Sequence, residues 1–514
     1  MTDGATIDRS APATAKGPAA IRIDARDTVA VALRAITAGE LVVVDGDSIV
    51  ARQDIPAGHK LALAAAEPDE QILKYGVPIG VASVGVTAGD WVHSHNLRTA
   101  LSGLLEYEYS PSSRTPLPAS PFPLPAFNGY RRATGKVGTR NELWVLNTVG
   151  CVNHAAERIA KQAAERFTGK IDAVHAFAHP YGCSQLGDDL KNTQAVLAGL
   201  LRHPNAGGVL VLGLGCENNQ LDELMRLAGP IDRERVAFFN TQDVIDELEE
   251  GTGAVAKLVE RMATDVRTEC PVSDLVLGHK CGGSDGFSGI SANALLGRLA
   301  DRMTRLGGSV LLTEVPEMFG AEQLLMNRAV SEPVFRDLVA MINDFKGYFL
   351  RHNQPVYENP SPGNKAGGLT TLEEKSLGAI QKGGRAPVSR VLRYGEPFRD
   401  RGLALLESPG NDGVSSTAMV VSGATLLLFT TGRGTPLGFP VPTIKVSSNS
   451  EIATKKPHWI DFNAGALLDG TTTMAQLEDD LFALVLATAS GERLTNNEKN
   501  GYREIAIWKE GVTL

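Results

Sequence analysis

The sequence predicts an α/β fold in which parallel sheets built from βαβ units follow a small β-rich module. Four of the five cysteines each close an apolar run that is typical of a buried strand. The runs end at Cys151, Cys183, Cys216 and Cys281, at intervals of 32, 33 and 65 residues. At the position skipped by the longest interval, Val236–Asn240 is another apolar run, without a cysteine. Strands about 30 residues apart, with helical patterns between them, indicate right-handed βαβ units and a parallel sheet.

The N-terminal part of the chain predicts a tail and a β module. Residues 1–20 are rich in Ala, Pro and Gly and lack an apolar core, which predicts a disordered tail. Residues 21–100 carry short Val/Ile-rich segments separated by Ala-Gly turns, at 36–40, 55–59 and 86–90. Glycine supplies the positive φ that such turns require. This pattern predicts a compact β-rich module.

The module ends in the segment WVHSHN, residues 91–96. If this segment is a strand, His93 and His95 lie on one face, because alternate residues of a strand share a face. Two imidazoles beside Asn96 could be metal ligands or substrate contacts, and we predict that all three residues bind substrate. Strand histidines that only pack and hydrogen-bond are the plain alternative.

Three further segments complete the chain. Residues 101–127 contain six prolines, which predicts a linker or an extended strap, because proline fixes φ. Residues 128–270 predict an α/β domain with helices at 153–167 and 185–202. Residues 271–514 predict a C-terminal α/β catalytic region that is dense in Gly-, Ser- and Asn-rich loops. Such loops on a packed scaffold usually carry binding groups.

Composition excludes several classes of function. A net charge of −9 without a basic stripe argues against a nucleic-acid partner. No segment approaches 18 continuous apolar residues, so we predict no membrane span. Five cysteines, an odd number without an apolar leader segment, fit reduced thiols in the cytoplasm. The sequence therefore predicts a cytoplasmic protein whose partner is a small molecule.

The four strand-ending cysteines are the predicted metal ligands. The carboxyl ends of parallel strands line the ligand crevice of an open sheet. Cys151, Cys183, Cys216 and Cys281 are therefore expected along one edge of one sheet, where thiolates can hold a soft metal or an iron cluster. For each of them, a small buried side chain that only packs is the alternative. Cys270 lies outside the pattern and is predicted to be structural.

Two polar residues beside these cysteines are candidates for catalysis. His179 lies in a loop that leaves a strand, which suits a general base, a general acid or a ligand. Its alternative is a loop histidine that caps the next helix. Glu217 directly follows Cys216, and it is predicted to act in catalysis or merely to cap a helix.

The loops of the C-terminal half carry the other candidates. The predicted substrate contacts are polar loop residues, namely Ser284, Asp285, Asn364 and Lys365. Arg433 and Lys445 are predicted catalytic anchors of a substrate carboxylate, and Arg433 is preferred because its fork matches that anion bidentately. Three acidic residues could coordinate a hard cation, or two of them could be ordinary first-turn acids: Glu314, Glu317 and Glu322.

Long and unusual strings carry a resemblance to a known family from about residue 21 to residue 514. They include YGVPIG (75–80), KVGTRNELWVLNTVGCVN (136–153), HPNAGGVLVLGLGCENNQ (203–220) and NPSPGNKAGGLTTLEEKSLG (359–378). In these strings the chain resembles the altronate/galactarate dehydratase family. One departure is at Ala379 and Ile380, where some members carry a cysteine, so no ligand is expected there.

The resemblance implies an N-terminal SAF-type β-clip domain followed by parallel-sheet α/β regions. It also implies an iron-dependent hydro-lyase, with ferrous iron replaceable by manganese and an iron–sulfur cluster still open. The implied reaction is loss of water from D-altronate to give 2-dehydro-3-deoxy-D-gluconate, with galactarate or another sugar acid as the alternative substrate. A cation on the carboxylate would stabilise the ene-diolate that forms when the adjacent proton leaves. A homodimer is the implied assembly.

Two other classes of function stay open at this point. A non-catalytic sugar-acid sensor would keep the carboxylate anchors and lose the metal ligands. A transferase with a cysteine nucleophile would need one activated thiol beside a histidine, and Cys183 with His179 is the pair that could serve.

Overall fold

A computed structural model of the chain describes residues 18–111 and 123–511. Most of the predicted tail, the middle of the predicted linker and the last three residues lie outside the described residues. Ala19 and Ala20 are buried, and Ala20 begins the first strand. The N-terminal module therefore starts slightly before residue 21.

Short antiparallel strands build the N-terminal module. They are β1 (Ala20–Ile21), β2 (Val29–Ala32), β3 (Leu41–Val44), β4 (Asp47–Val50), β5 (Lys60–Ala62), β6 (Gln71–Lys74), β7 (Val77–Ala82), β8 (Trp91–Val92) and β9 (Leu97–Arg98). Among them β1, β2, β5 and β8 form one sheet, β6, β7 and β9 another, and β3 and β4 a hairpin. Gly39, Gly58 and Gly89 have φ of 83°, 82° and 95°, so the predicted turn chemistry is confirmed.

Residues 101–111 form an extended strap along the C-terminal region. The Tyr107 hydroxyl donates a hydrogen bond of 2.5 Å to Glu322, and the Tyr109 hydroxyl donates one of 3.2 Å to the carbonyl of Ala329. Both rings pack against the main hydrophobic core. Of the two interpretations of the linker, the described part fits the strap.

A parallel sheet with helices on both faces forms the middle region. A small antiparallel sheet contains β10 (Ala126–Arg131), β11 (Val137–Gly138) and β16 (Thr268–Pro271). The parallel sheet contains β12 (Glu142–Asn147), β13 (Ala173–Ala176), β14 (Ala206–Gly213) and β15 (Val236–Asn240). Its helices are α1 (Asn153–Arg166), α2 (Gly187–Leu201), α3 (Leu221–Ala228) and α4 (Glu247–Met262). The sheet order is β13-β12-β14-β15, all parallel, with α1 and α4 on one face and α2 and α3 on the other. The helices expected from the sequence are confirmed as α1 and α2.

The C-terminal region is a second parallel sheet. Its strands are β17 (Val276–Cys281), β18 (Ser309–Leu312), β19 (Val388–Leu392), β20 (Gly402–Leu406), β21 (Leu426–Thr431), β22 (Thr443–Ser447) and β23 (Phe462–Asn463). The helices are α5 (Ala292–Arg305), α6 (Glu322–Met326), α7 (Glu332–Arg351), α8 (Pro362–Ala366), α9 (Leu372–Ala379), α10 (Asp412–Val421), α11 (Ser450–Lys455), α12 (Met474–Ala489) and α13 (Asn496–Asn500). The strand order is β19-β20-β18-β17-β21-β22-β23.

This strand order contains a topological switch point. From β17 the chain adds β18 on one side, then the edge strand β19, then β20 between β18 and β19, and it returns to β17's other side with β21. Ligands of open parallel sheets bind outside the carboxyl ends of the strands at such a point. The loops after β17 and β21 are therefore where this sheet can bind a ligand.

The prediction that four cysteines share one sheet edge is wrong. Cys151, Cys183 and Cys216 follow β12, β13 and β14 of the middle sheet, but Cys281 ends β17 of the C-terminal sheet. The interval before Cys281 is close to two βαβ repeats, yet the chain leaves the middle sheet after β15. Spacing alone does not tell which sheet a strand joins.

Helices that follow the carboxyl edges of the two sheets share one hydrophobic core. These helices, α2 and α10, pack against each other with Gly199 against Val421 near their carboxyl ends. The C-terminal segment contacts both, because Ala506 N donates to Thr417 in the middle of α10 and Gly511 N donates to Asp189 in the first turn of α2. The predicted α/β fold class with an N-terminal β-rich module is confirmed. No helix among the described residues is long and apolar enough to cross a membrane.

Candidate active site

A polar cavity of about 580 Å³ lies at the switch point of the C-terminal sheet. Its walls come from the loops after β17, β21 and β22, and Leu33 and Ala57 of the N-terminal module close one side. The polar and charged side chains in the wall include Asp285, Arg433, Asn449 and Lys455. A cleft of this size suits a small organic molecule.

Two cations in the wall are available to an anionic ligand. The side chains of Arg433 and Lys455 are exposed, and neither has a hydrogen bond or an ion pair with the residues that the structure describes. The loop holds Arg433 through its backbone, whose N–H donates to the carbonyl of Gly283 at 3.0 Å. The role of Arg433 as a carboxylate anchor stays a prediction.

Asp285 is built into the wall beside Gly432. It accepts hydrogen bonds from Ser448 at 2.8 Å, from Ser288 at 2.8 Å and from the Asn449 amide at 2.9 Å. Burial raises the pKa of Asp285, and the three donors oppose that rise. These contacts join the loop after β17 to the loop after β22. A contact between Asp285 and substrate would be additional to this structural role.

A buried cluster of charges begins at the carboxyl end of β17. Lys382 Nζ lies 2.7 Å from Cys281 Sγ and 2.7 Å from a carboxylate oxygen of Glu314. Lys280 donates to the other Glu314 oxygen and, at 2.7 Å, to Asp412. Glu314 has a φ of 71°, a left-handed conformation that costs energy for a residue with a side chain and is common at functional sites. Asp412 is 34% exposed and so connects the cluster to solvent.

The cluster extends toward the cavity. Lys375 Nζ lies 2.9 Å from Glu317 Oε1 and 3.3 Å from Asn364 Oδ1. The Asn364 amide donates to the carbonyl of Ser284 at 2.9 Å. Two predicted substrate contacts, Ser284 and Asn364, are therefore buried links between the charge cluster and the cavity loop.

One group in this cluster could hold a metal ion. Ligand atoms of Cys281, Glu314 and Glu317 lie within 4.8 Å of one another. However, three lysine ammonium groups already contact these side chains, and they balance the charges of Glu314, Glu317 and Asp412. Burial and the neighbouring Glu314 raise the pKa of the Cys281 thiol to about 12, whereas a metal binds the thiolate. A cation at this place would have to displace or deprotonate lysines.

His93 and His95, which were predicted to lie on a strand, lie in a turn after β8. His93 Nδ1 lies 3.1 Å from the Thr370 hydroxyl, and its ring stacks on Trp91. Burial lowers the pKa of His93 to about 4, so its imidazole is neutral near pH 7. His95 is exposed, and Asn96 is buried with its side chain bonded to the backbone of the turn. Of these three side chains, His95 is exposed, His93 is half-buried and Asn96 is buried.

The three other predicted metal ligands form a separate group. Cys151, Cys183 and Cys216 are all exposed, and each lies in a loop at the carboxyl edge of the middle sheet. Helices α2 and α10 separate these loops from the sheet that carries Cys281. Cys270 is fully buried in β16, as expected for a structural residue.

His179 and Glu217 support these cysteine loops. His179 Nε2 donates to the carbonyl of Asn147 at 2.8 Å, and its Nδ1 accepts from Tyr181 N at 3.2 Å. Burial lowers the pKa of His179, which favours the neutral imidazole. In that form, backbone groups already occupy both ring nitrogens. Glu217 accepts from Gly215 N at 2.6 Å, from Leu214 N and from Thr148. Both side chains therefore shape loops and have no free proton-transfer atom directed at a ligand.

Lys445 and Lys365 lie apart from the open part of the cavity. Lys445 Nζ donates to the carbonyl of Thr435 at 2.5 Å, and burial lowers the pKa of Lys445 to about 8. Lys365 is half-buried on α8, and within the described ranges its side chain has no hydrogen bond. The structure brings neither ammonium group to the wall that contains Arg433.

Four lysines and one carboxylate of this site were not predicted from the sequence. They are Lys280, Lys375, Lys382, Lys455 and Asp412. A signal was present for Lys280, because a lysine within the apolar strand ending at Cys281 must be buried and paired. For the others, partners far apart in the chain decide the role.

Comparison with known proteins agrees with this architecture. The model of the altronate/galactarate dehydratase SAF domain matches residues 18–100. The model of the second domain of D-galactarate dehydratase/altronate hydrolase matches residues 129–263, and the D-galactarate/altronate dehydratase C-terminal model matches residues 272–513.

Full-length relatives extend the match over almost the whole chain. The chain is 50% identical to an altronate dehydratase of Bacillus subtilis over 499 residues, which cover 96% of this chain and 99% of the relative. It is 51% identical to an altronate dehydratase of Escherichia coli over 500 residues, with the same coverage. It is 34% identical to the galactarate dehydratase (L-threo-forming) of Escherichia coli over 488 residues, covering 90% of this chain and 91% of that relative. The chain therefore belongs to the altronate/galactarate dehydratase family of metal-dependent hydro-lyases.

Proposed function

We propose that the protein dehydrates D-altronate to 2-dehydro-3-deoxy-D-gluconate. The observation that carries this proposal is the identity of 50% and 51% to two altronate dehydratases, against 34% to a galactarate dehydratase. In this reaction a proton leaves the carbon next to the carboxylate, and hydroxide leaves the following carbon. The resulting enol then rearranges to the 2-keto acid.

The polar cavity is the proposed binding site for the sugar acid. Arg433 would bind the carboxylate bidentately, since its fork is unpaired and exposed in the wall. Lys455 would add a second positive charge, and His95 would approach from the N-terminal module. The position of the cavity at the switch point supports this assignment.

The buried lysine–carboxylate cluster is the proposed source of proton-transfer groups. It connects to the cavity loop through Asn364, and it reaches solvent at Asp412. Proton removal next to a carboxylate needs a base and a fixed positive charge near the developing ene-diolate. Lys280 and Asp412, 2.7 Å apart, supply such a pair.

Iron in the ferrous form, replaceable by manganese, is the proposed metal. It would supply a Lewis acid that stabilises the negative charge developing in the transition state. The Cys281 group is a poor place for it, because three ammonium groups occupy its donors. The exposed thiols of Cys151, Cys183 and Cys216 are the other predicted donors.

Turnover of D-altronate by anaerobically purified protein tests the proposal. The protein is stripped with a chelator and then given ferrous iron, and the 2-keto product is measured with D-altronate and with galactarate. We expect product from altronate, lost on stripping and restored by iron. Product from galactarate but not from altronate would overturn the substrate assignment.

Arg433→Gln tests the binding site, with Arg336→Gln as the control. Arg336 is an exposed helix residue paired with Glu332, away from the cavity. We expect a raised KM for altronate in the Arg433 variant alone.

A homodimer is also part of the proposal. Exposed apolar side chains on the β3–β4 hairpin support it, since Leu41, Val43 and Val50 are 60%, 54% and 53% exposed. Light scattering would decide it, and a monomeric mass would contradict it.

A further inference from the structure

We propose that a small cavity between the middle region and the C-terminal region binds a doubly charged oxyanion such as a phosphate group. The cavity has a volume of about 70 Å³ and lies at the amino ends of β17 and β21. The proposed binding site for the sugar acid lies at the carboxyl ends of the same strands. This inference goes beyond the proposed function, because it concerns a second site at the opposite edge of the C-terminal sheet.

Segments from both regions form the wall of this cavity. From the middle region, Lys136 directly precedes β11 and Arg202 directly follows α2. From the C-terminal region come Phe398, in the segment before β20, and Ser422, which directly follows α10. A ligand in the cavity would therefore contact both regions at once.

Three cations at the cavity have no carboxylate partner. They are Lys136 and Arg202 in the wall and the nearby Arg399, and none of them has an ion pair with the residues that the structure describes. Lys136 Nζ donates one hydrogen bond of 3.3 Å to the carbonyl of Phe398. The Arg202 guanidinium donates one of 3.3 Å to the carbonyl of Gly395. Arg399 is exposed, and within the described ranges its side chain has no hydrogen bond.

These cations are close enough to repel one another. Burial, and then the positive charge of Arg399, lower the pKa of both Lys136 and Arg202. The whole chain has a net charge of −9, so a group of cations without carboxylate partners is unusual in it. A bound anion would relieve this repulsion, as basic groups do when they bind a phosphate.

Other charges near the cavity reduce this excess without cancelling it. Asp274 lines the wall, but its carboxylate pairs with Arg131 at 3.0 Å and with Arg401 at 3.7 Å. Helices α2 and α10 end at the cavity, and the carboxyl end of a helix carries about half a negative charge. The two helix ends thus offset about one of the three positive charges, and about two remain. A phosphate group, with a charge of about −1.5 to −2 near pH 7, matches this remainder.

Two polar groups at the cavity are buried without a partner. The Ser422 side chain is 1% exposed, and its hydroxyl has no hydrogen-bond partner among the described residues. The same holds for Arg202 Nε. Buried donors are nearly always paired, because an unpaired one costs stability. An oxyanion in the cavity would accept hydrogen bonds from both groups.

The size of the cavity fits a small oxyanion. A volume of about 70 Å³ holds about two water molecules, which is close to the size of one phosphate group. In the turn after α10, a Cβ on Gly423 would meet no atom within 4 Å, so the wall is open there. The planar fork of Arg202 matches the oxygens of a phosphate group in shape as well as in charge.

Calorimetric titration of the full-length protein with inorganic phosphate tests the inference without a measurement of activity. Sodium chloride at the same ionic strength is the reference, because chloride screens the cations but offers no second oxygen to the arginine fork. We expect saturable binding of phosphate. We also expect a melting temperature that rises with the phosphate concentration, since a ligand of the folded state stabilises that state.

Three variants identify the site. Arg202→Gln should weaken phosphate binding at least about tenfold, because it removes the fork. Arg399→Gln, at an exposed position without contacts to lose, should weaken it about threefold, since solvent screens this charge. Ser422→Ala should weaken binding severalfold, yet it should not lower the melting temperature without phosphate, because its hydroxyl has no partner to lose.

Two further variants separate this cavity from other cations of the protein. Arg433 lies in the wall of the cavity proposed for the sugar acid, and Arg336 is a surface residue paired with Glu332. Arg433→Gln and Arg336→Gln should both keep the phosphate binding that Arg202→Gln weakens.

The outcomes are independent of altronate turnover. Phosphate binding that is weakened in the Arg202 and Ser422 variants and kept in the Arg433 variant would support the inference even if altronate gave no product. No saturable binding to the wild type would overturn it even if altronate is turned over. Binding that is weakened by Arg433→Gln alone, or that is as tight in Ser422→Ala and Arg202→Gln as in the wild type, would overturn the assignment to this cavity.

Discussion

The N-terminal module is joined to the C-terminal region by a fully buried ion cluster around Glu374. Lys60 Nζ lies 2.8 Å from Glu374 Oε2, and Lys74 Nζ lies 2.8 Å from Oε1. Thr370 N donates to the same carboxylate at 2.9 Å. Glu374→Gln preserves the size of the side chain but leaves two buried ammonium groups facing a neutral amide.

Two arguments give the same magnitude for this substitution. Burial opposes ionisation of Glu374, but Lys60 and Lys74 prevail and lower its pKa to about 2. Compared with the ordinary value of 4.5, this shift corresponds to about 3 kcal/mol of the free energy of unfolding. Breaking a buried ion pair by removing one partner costs about 3–5 kcal/mol. We therefore expect Glu374→Gln to lower the free energy of unfolding by about 3 kcal/mol.

The sign of the pH dependence follows from the same shift. A carboxyl group whose pKa is lowered in the folded state stabilises the protein above its unfolded pKa, here 4.5, and this stabilisation is lost as the pH falls toward about 2. Urea unfolding, measured at neutral pH and again at about pH 3, should show a smaller difference between wild type and variant at the lower pH. Intrinsic fluorescence follows the transition, and Trp91 of the N-terminal module is one of the four tryptophans that contribute to it.

Glu373→Gln is the matched control one residue away. Glu373 is also buried, but its partners are the Thr99 hydroxyl and Ala100 N, and no lysine is paired with it within the described ranges. Its substitution should cost only about 1 kcal/mol. Equal losses in the two variants, or a Glu374→Gln loss that does not change with pH, would refute the reasoning.

Three further predictions concern the sites. Arg433→Gln should raise KM for altronate about 10- to 100-fold with a smaller change in kcat, as steady-state kinetics would show; an unchanged KM would contradict the anchor. Lys382→Met should lower the free energy of unfolding by about 3–5 kcal/mol in urea, since it leaves a buried carboxylate underpaired, and a loss below about 1 kcal/mol would mean that this pairing matters little. Gly182→Ala should lower the melting temperature, because its Cβ would meet the carbonyl of Thr148 at 2.0 Å. Gly253→Ala, with open space around it in α4, should leave the melting temperature unchanged or raise it slightly.

Local patterns predicted most of the fold correctly. Strand–helix alternation gave the middle sheet and its helices α1 and α2 within about two residues at each end. The Ala-Gly turns of the N-terminal module have the expected positive φ at Gly39, Gly58 and Gly89. These features depend on residues close together in the chain, which is why the sequence alone was sufficient.

Features that depend on distant partners were not predictable in the same way. Cys281 was assigned to the wrong sheet because spacing carries no information about which strands pair. His93 and His95 were expected on a strand, but the Asn96 side chain closes a turn through the backbone of His93 and Trp91. Side-chain hydrogen bonds of this kind compete with strand pairing and leave little periodic signal.

The charges in the buried cluster explain why the sequence predicted candidate metal ligands but could not show which of them are free to bind a cation. A cysteine and nearby glutamates are good ligands on paper, and Cys281, Glu314 and Glu317 do come together. Lys280, next to Cys281 in the chain, and the more distant Lys375 and Lys382 neutralise the same site, so an added divalent cation would leave uncompensated positive charge in a buried place, at a cost of several kcal/mol per charge. The charges of neighbouring residues therefore decide whether a group of potential ligands is free to bind a cation, and those neighbours become visible only when the chain is folded.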